Sequence, residues 1–263
     1  MLLETPLGLA LLALFGLLTG TLAGILGIGG GLLLVPALIF AGVETTLQAT
    51  ATSLIGVFLS ATSGSIRNLK AGQLKWKASL GLAGFGIITA QIGAWLGTRV
   101  SDAVLSLGFA SLLLITIYLM GLKKRLAARN GESEAEAKEK SGFQLLPIAG
   151  IGLTAGLLSG LFGVGGGVVM VPLQMLILGE DIKAAVRTSL GAIVAIAASG
   201  LIQHTAQGNV LWLPGLVLGV GGIIGAQFGT RLLPALPDRA VSILFRILLI
   251  ALAIYMIIRT LQG

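Results

Sequence analysis

One pattern occurs twice in this chain: GILGIGGGLLLVPALIF at residues 24–40 and GLFGVGGGVVMVPLQML at residues 160–176. In each copy a glycine cluster followed by a proline interrupts a long apolar run. Consecutive glycines favour backbone angles that a helix cannot use, and proline removes an amide donor, so both copies break a helix at the same place. A break of this kind frees backbone polar groups. At membrane depth they are tolerated only inside protein or beside a cavity, which makes a duplicated break a pointer to a binding site between repeats.

Composition fixes the environment. Hydrophobic residues make up 56% and charged residues 10%, against about a quarter charged in soluble domains, and the mean hydropathy is +1.02. The chain reads as an all-α, polytopic membrane protein. It has no cysteine, so disulfides and thiolate-held metals are excluded. The net charge of +7 does not indicate nucleic acid, because ten of the 27 charged residues fall between Lys123 and Lys140. That stretch is a mixed-charge, solvated linker. Glu4 precedes the first apolar run where a signal peptide would carry basic residues.

Apolar segments of roughly 20 residues, the length that spans a bilayer core, fall at 8–27, 46–66, 77–98 and 102–122, then at 144–162, 184–203, 212–230 and 239–259. Two shorter pieces, 31–41 and 167–178, follow the glycine clusters. With a shift of 136, Ala49, Thr52, Ser53 and Leu54 meet Ala185, Thr188, Ser189 and Leu190, and Ser63, Gly64, Gly72 and Trp76 meet Ser199, Gly200, Gly208 and Trp212. GAWLGTR at 93–99 then meets GAQFGTR at 225–231. The chain divides into a first membrane repeat (1–122), a charged cytoplasmic linker (123–142) and a second repeat (143–263).

Equivalent loops differ in charge. Arg67, Lys70, Lys75 and Lys77 surround the first, whereas the span from Gln203 to Trp212 has no Lys or Arg. The positive-inside rule places the first loop and the linker in the cytoplasm and the second loop outside. An odd number of crossings per half satisfies this, giving inverted repeats of eight long helices plus two short glycine-broken ones. If each break only kinks one long helix, the repeats are parallel.

The glycines form two groups. Gly16, Gly20 and Gly24, with Gly152, Gly156 and Gly160, lie at i, i+4 and i+8 on one helix face and read as packing contacts. Gly27, Gly29, Gly30 and Gly31, with Gly163, Gly165, Gly166 and Gly167, have no helical period. They would open a new helix whose free N–H groups and positive dipole end suit an anion; the plainer reading is a tight turn that binds nothing. No Lys-Ser/Thr follows them, so a nucleotide cradle does not fit.

Polar residues in the apolar segments extend the candidate site. Thr52, Ser53, Thr188 and Ser189 can donate to an oxyanion or bond back to their own helix. Arg187 sits in the first turns of its helix, where the dipole disfavours a cation. Its partner would be Glu180 and Asp181 or a bound anion, unless it snorkels to the interface. Arg67 and Asn68, with Gln203 and His204, lie at helix ends as interfacial anchors or gate residues, and a histidine there is expected to be solvated, with proton coupling as its functional reading. Arg99 and Arg231 suit headgroup contacts. No catalytic constellation, metal-ligand set or cofactor motif is present, since the spanning segments lack interior carboxylates.

GxGGGxxxVP twice, each followed by ATSL or RTSL, then GQLKW or GNVLW, and GAxxGTR, resembles the TauE/SafE sulfite exporter-like family of membrane permeases over nearly the whole chain. The resemblance implies transport of a small anion such as sulfite, sulfoacetate or another sulfonate across a bacterial or archaeal inner membrane, without a cofactor. Arg187 and the TATSL run at 50–54 stand apart from the shared pattern, so it names no single substrate. An inside-negative potential contributes about 2.3 kcal/mol per charge per 100 mV to outward anion movement. Export then needs no coupled ion, whereas uptake needs H⁺ or Na⁺. A passive anion channel, a non-transporting scaffold and a membrane enzyme are the competing readings.

Overall fold

A computed structural model describes residues 5–130 and 145–262. Among the described residues ten α-helices come in two runs of five. The first run is α1 (Pro6–Leu26), α2 (Gly31–Phe40), α3 (Thr46–Lys70), α4 (Trp76–Gly97) and α5 (Asp102–Asn130). The second is α6 (Leu145–Phe162), α7 (Gly167–Ile177), α8 (Ile182–Ala206), α9 (Trp212–Leu232) and α10 (Asp238–Gln262). Among the described residues eight helices are long and apolar enough to cross a membrane, and α2 and α7 are the two short ones. The expected segments recur with shifts of a few residues. Helix α5 continues to Asn130, so the expected linker begins as helix; its remainder, within 131–144, lies outside the described residues.

Local chemistry explains the boundaries. Thr5, Thr45 and Asp181 cap α1, α3 and α8 by accepting from the N–H groups of Gly8, Gln48 and Ala184. Pro36 and Pro172 lie within α2 and α7, whose interior positions can spare one amide bond when the helix is only about three turns long.

The halves interlock. α1 packs on α9 of the other half, and its counterpart α6 packs on α4. The glycine stripes make these contacts: Gly16, Gly20 and Gly24 face the backbone of Leu218, Gly222 and Gly229–Thr230, while Gly152, Gly156 and Gly160 face Leu82, Gly86 and Ala90–Ala94. Numbers rise together along both helices of each pair, so each pair is parallel. In lipid, where burial supplies no hydrophobic drive between helices, this backbone proximity is the attraction.

The equivalent helices α3 and α8 pack on each other in the opposite sense. A Cβ built on Gly64 would meet Leu190 at 3.4 Å, and one on Gly200 would meet Leu54 at 3.3 Å. These two contacts are the same contact read from either half, and they make α3 and α8 antiparallel. Charged loops agree: Lys75 before α4 pairs with Glu180 before α8 at 2.9 Å, so the first half's α3–α4 loop meets the second half's α7–α8 loop rather than its own equivalent. Trp76 and Trp212, each opening its helix, are both about half exposed, the placement favoured by interfacial aromatics.

Gly20→Ala places its Cβ against Gly222, with 2.7 Å to that Cα, and is expected to cost about 1–3 kcal/mol by overpacking. Gly84→Ala, with nothing within 4 Å of its Cβ, should leave thermal unfolding in detergent unchanged.

Candidate anion site at the crossed helix breaks

The two glycine breaks meet at the centre of the molecule. Gly27, Gly29 and Gly30 have φ of 70°, 71° and 87°, and Gly163, Gly165 and Gly166 have 68°, 75° and 77°. This is the left-handed region, where only glycine avoids strain. The chain leaves α1 or α6, turns and starts α2 or α7 at Gly31 or Gly167. A Cβ on Gly31 would strike the carbonyl oxygen of Gly163, and one on Gly167 would strike that of Gly27. The breaks therefore cross in direct backbone contact.

Val57 of α3 and Ile193 of α8, equivalent residues, pack on this crossing. A Cβ on Gly29 would lie 2.9 Å from Val57 Cγ1 and 3.1 Å from Ile193 Cγ2, and one on Gly165 would meet the same two side chains. Residues 27–31 and 163–167 are all buried. Among the described residues the N–H groups of Gly29, Gly30, Gly31, Gly165, Gly166 and Gly167 have no hydrogen-bond partner in the protein. Most buried amides are paired, so six unpaired ones at two facing helix starts form a concentrated set of donors.

Some carbonyl oxygens of the breaks are better served. Ser60 Oγ donates to Gly29 O at 2.8 Å, Ser53 Oγ shares its proton between Thr50 O of its own helix at 2.7 Å and Gly163 O at 3.0 Å, and His204 Nε2–H donates to Gly160 O at 3.0 Å. Among the described residues the carbonyls of Gly27, Ile28, Val164 and Gly165 accept no hydrogen bond, so the breaks leave acceptors as well as donors open, and it is the donors at the helix starts that suit an anion.

Of the residues expected from the sequence, the glycines and Ser53 come together. Ser189 lies beside them and accepts from Gln174 Nε2 at 2.7 Å. Thr52 accepts the N–H of Leu211, the residue before α9, at 3.0 Å, and so caps that helix. Thr188, its equivalent, is fully buried with its Oγ1 unpartnered. Arg187 is partly buried and forms no ion pair among the described residues: Glu180 is held by Lys75, and Asp181 caps α8. Arg67 and Gln203 are partly exposed at helix ends, but Asn68 and His204 are buried. Burial of His204 differs from the solvated histidine expected, and the cause is the break itself: it ends α6 at Phe162 and frees the Gly160 carbonyl that the imidazole then caps. Arg99 stacks over Trp95 at 4.2 Å.

Four participants escaped the sequence reading. Ser60 lies seven residues after Ser53, two helical turns along the same face, and that spacing could have revealed it. Gln174 is a lone amide in an apolar helix. Val57 and Ile193 carry no signal, because an aliphatic residue in an apolar helix looks like every other.

The sulfite exporter TauE/SafE family model matches residues 12–256. The chain belongs to this family. Within it, the chain is 28% identical to the probable membrane transporter YunE of Bacillus subtilis, over 94% of this chain and 96% of the relative. It is 30% identical to a probable membrane transporter of Methanocaldococcus jannaschii, over 76% and 74%, and 28% identical to one of Xylella fastidiosa, over 93% of each. No solved structure matches. The TauE/SafE chain is thus a multi-pass membrane protein of a transporter family, with its paired glycine motif at the molecular centre.

Ser60→Ala leaves the buried Gly29 carbonyl without its donor and is expected to lower stability by about 1–3 kcal/mol. Thermal unfolding of the purified protein measures this.

Proposed function

We propose that the protein is a secondary transporter that moves a small anion, sulfite or a sulfonate, outward across the cell's inner membrane by alternating access. The observation that carries this reading is the crossing of the two glycine breaks, each with unpaired N–H donors, at the packing centre of two equivalent halves. The donors are neutral, so an anion bound there meets no fixed lysine and can leave. In the present arrangement Val57, Ile193 and the opposed glycine backbones fill the crossing, which corresponds to a closed state. Parting the two breaks would expose the donors.

The halves are inverted in this reading, with Lys75, Glu180, Lys183 and Arg187 on the cytoplasmic side. Antiparallel α3 and α8 and the Lys75–Glu180 pair support it. Arg187, an unpaired cation on that side, attracts the anion before it reaches the breaks. Outward movement follows the membrane potential and needs no coupled ion; H⁺ or Na⁺ coupling would be needed only for uptake.

Because the chain has no cysteine, Gln73→Cys and Asn209→Cys report topology without background. A membrane-impermeant thiol reagent added to intact cells should label position 209 and spare position 73; equal labelling would make the halves parallel. In proteoliposomes, sulfite or sulfonate efflux should saturate and accelerate with an inside-negative potential. Arg187→Gln should raise KM about tenfold, the scale of one charge-assisted contact, with a folded protein. Flux that never saturates would favour a passive channel, and no flux of any tested anion would remove the transport reading.

A further inference from the structure

At the start of α10, away from the crossing, a hollow of about 570 Å³ is lined by Arg239, Ser242, Ile243 and Arg246. Their spacing of three, four and seven puts all four on one face of the helix. Arg246 lies two turns inside a span with an otherwise apolar core-facing side. Its Nη2 donates to Met120 O of α5 at 2.9 Å, while its Nε is buried and unpartnered. Neither arginine forms an ion pair among the described residues; the neighbouring Asp238 is 3.4 Å from Lys183. Among the described residues the two guanidinium groups around this hollow have no counter-charge, which suits an anion.

The surface below the hollow identifies what kind. Ile243, Ile247, Ile250 and Ile254 continue along α10 at helical spacing, each close to half exposed. A basic hollow that opens onto an exposed apolar stripe matches an amphiphile, a charged head followed by a hydrocarbon chain. The hollow lies on the side that carries Lys75, Glu180 and Lys183, since Lys183 Nζ also donates to Pro234 O just before α10. The equivalent position in α5 lacks this arginine, because the residue matching Arg246 there is Ala110.

We propose that this hollow binds the phosphate of an anionic phospholipid, held by Arg239 and Arg246 with Ser242 as a further donor, and that an acyl chain lies along the four isoleucines. Planar guanidinium groups suit the phosphate oxygens. The site is independent of the transport reading.

Native mass spectrometry of the purified full chain, titrated with phosphatidylglycerol, phosphatidylcholine or inorganic phosphate, tests this. Phosphatidylglycerol should bind about 30-fold more tightly than phosphatidylcholine, the ratio expected of two basic residues near the headgroup plane. Arg239→Gln, at an exposed position that leaves folding intact, should cut that preference about fivefold, and Arg239→Gln with Arg246→Gln should abolish it. Inorganic phosphate should not compete at millimolar concentration. Full competition by phosphate would make the ligand a soluble anion and overturn the lipid assignment. A preference unchanged in Arg239→Gln would overturn the site, and the single variant decides this even where the double variant fails to fold.

Discussion

A helix satisfies its own backbone, and a helix broken in lipid does not. The rest of this structure follows from that. Each break exposes carbonyl and amide groups at membrane depth, so each must be buried in protein, and two equivalent breaks can be buried most simply against one another. The carbonyls of Gly29, Gly163 and Gly160 find Ser60, Ser53 and His204. The amides of the glycine clusters find nothing. Antiparallel α3 and α8 supply both the hydroxyls and the apolar pair, Val57 and Ile193, that close the crossing. The stripes on α1 and α6 then clamp each half to the other through glycine contacts that leave no room for a Cβ.

The two halves carry equivalent helices and reciprocal contacts at the breaks, but their side chains differ. Ser60 faces Ile196 in the equivalence, Gln174 faces Leu38, His204 faces Asn68, and Arg187 faces Ala51. In the proposed reading, the equivalence of the two breaks would give two rotation-related arrangements of similar energy, as alternating access would require. The substitutions then bias which arrangement is preferred and give the two membrane faces different chemistry. Cations gather on the face that holds Lys75, Lys183 and Arg187. The second half holds the more unusual buried polar atoms: Gln174 Oε1, Thr188 Oγ1 and Ser159 Oγ lack partners, and each is fully buried.

Much of the fold was legible in the sequence because lipid imposes length and satisfaction rules that a linear reading can apply. The spans, the short helices after the glycines and the role of the stripe Gly16, Gly20 and Gly24 all followed from period and length. The site was legible only in part. Glycines announce a break by what they lack, and the repeat gave their number. Thr52 and Thr188 looked equivalent to Ser53 and Ser189, but a residue one position along a helix points about 100° away, and Thr52 reaches α9 instead of the crossing. Val57 and Ile193 were invisible because their importance lies in their position on the axis, which no local pattern encodes. Arg246 stood inside an apolar run, yet its hollow depends on how α10 sits beside α5.

If the crossing is the anion path proposed above, its closure by Val57 and Ile193 explains why such a path would be gated at all. Under an inside-negative potential an open path would let every permeant anion run outward, and nutrient anions would go with the intended cargo. In the proposed reading, the apolar pair Val57 and Ile193 at the crossing would deny hydration to an ion in the closed state, and the unpaired amides would reward it only once the breaks had parted. Selection then rests on which anion recovers enough hydrogen bonds from the glycine N–H groups to offset its lost water. A compact oxyanion with several equivalent oxygens can accept from both helix starts together, while a monovalent halide accepts without direction and gains less from donors fixed in two facing sets. In the proposed reading, the geometry that forces the glycines to be buried would therefore favour tetrahedral or pyramidal oxyanions.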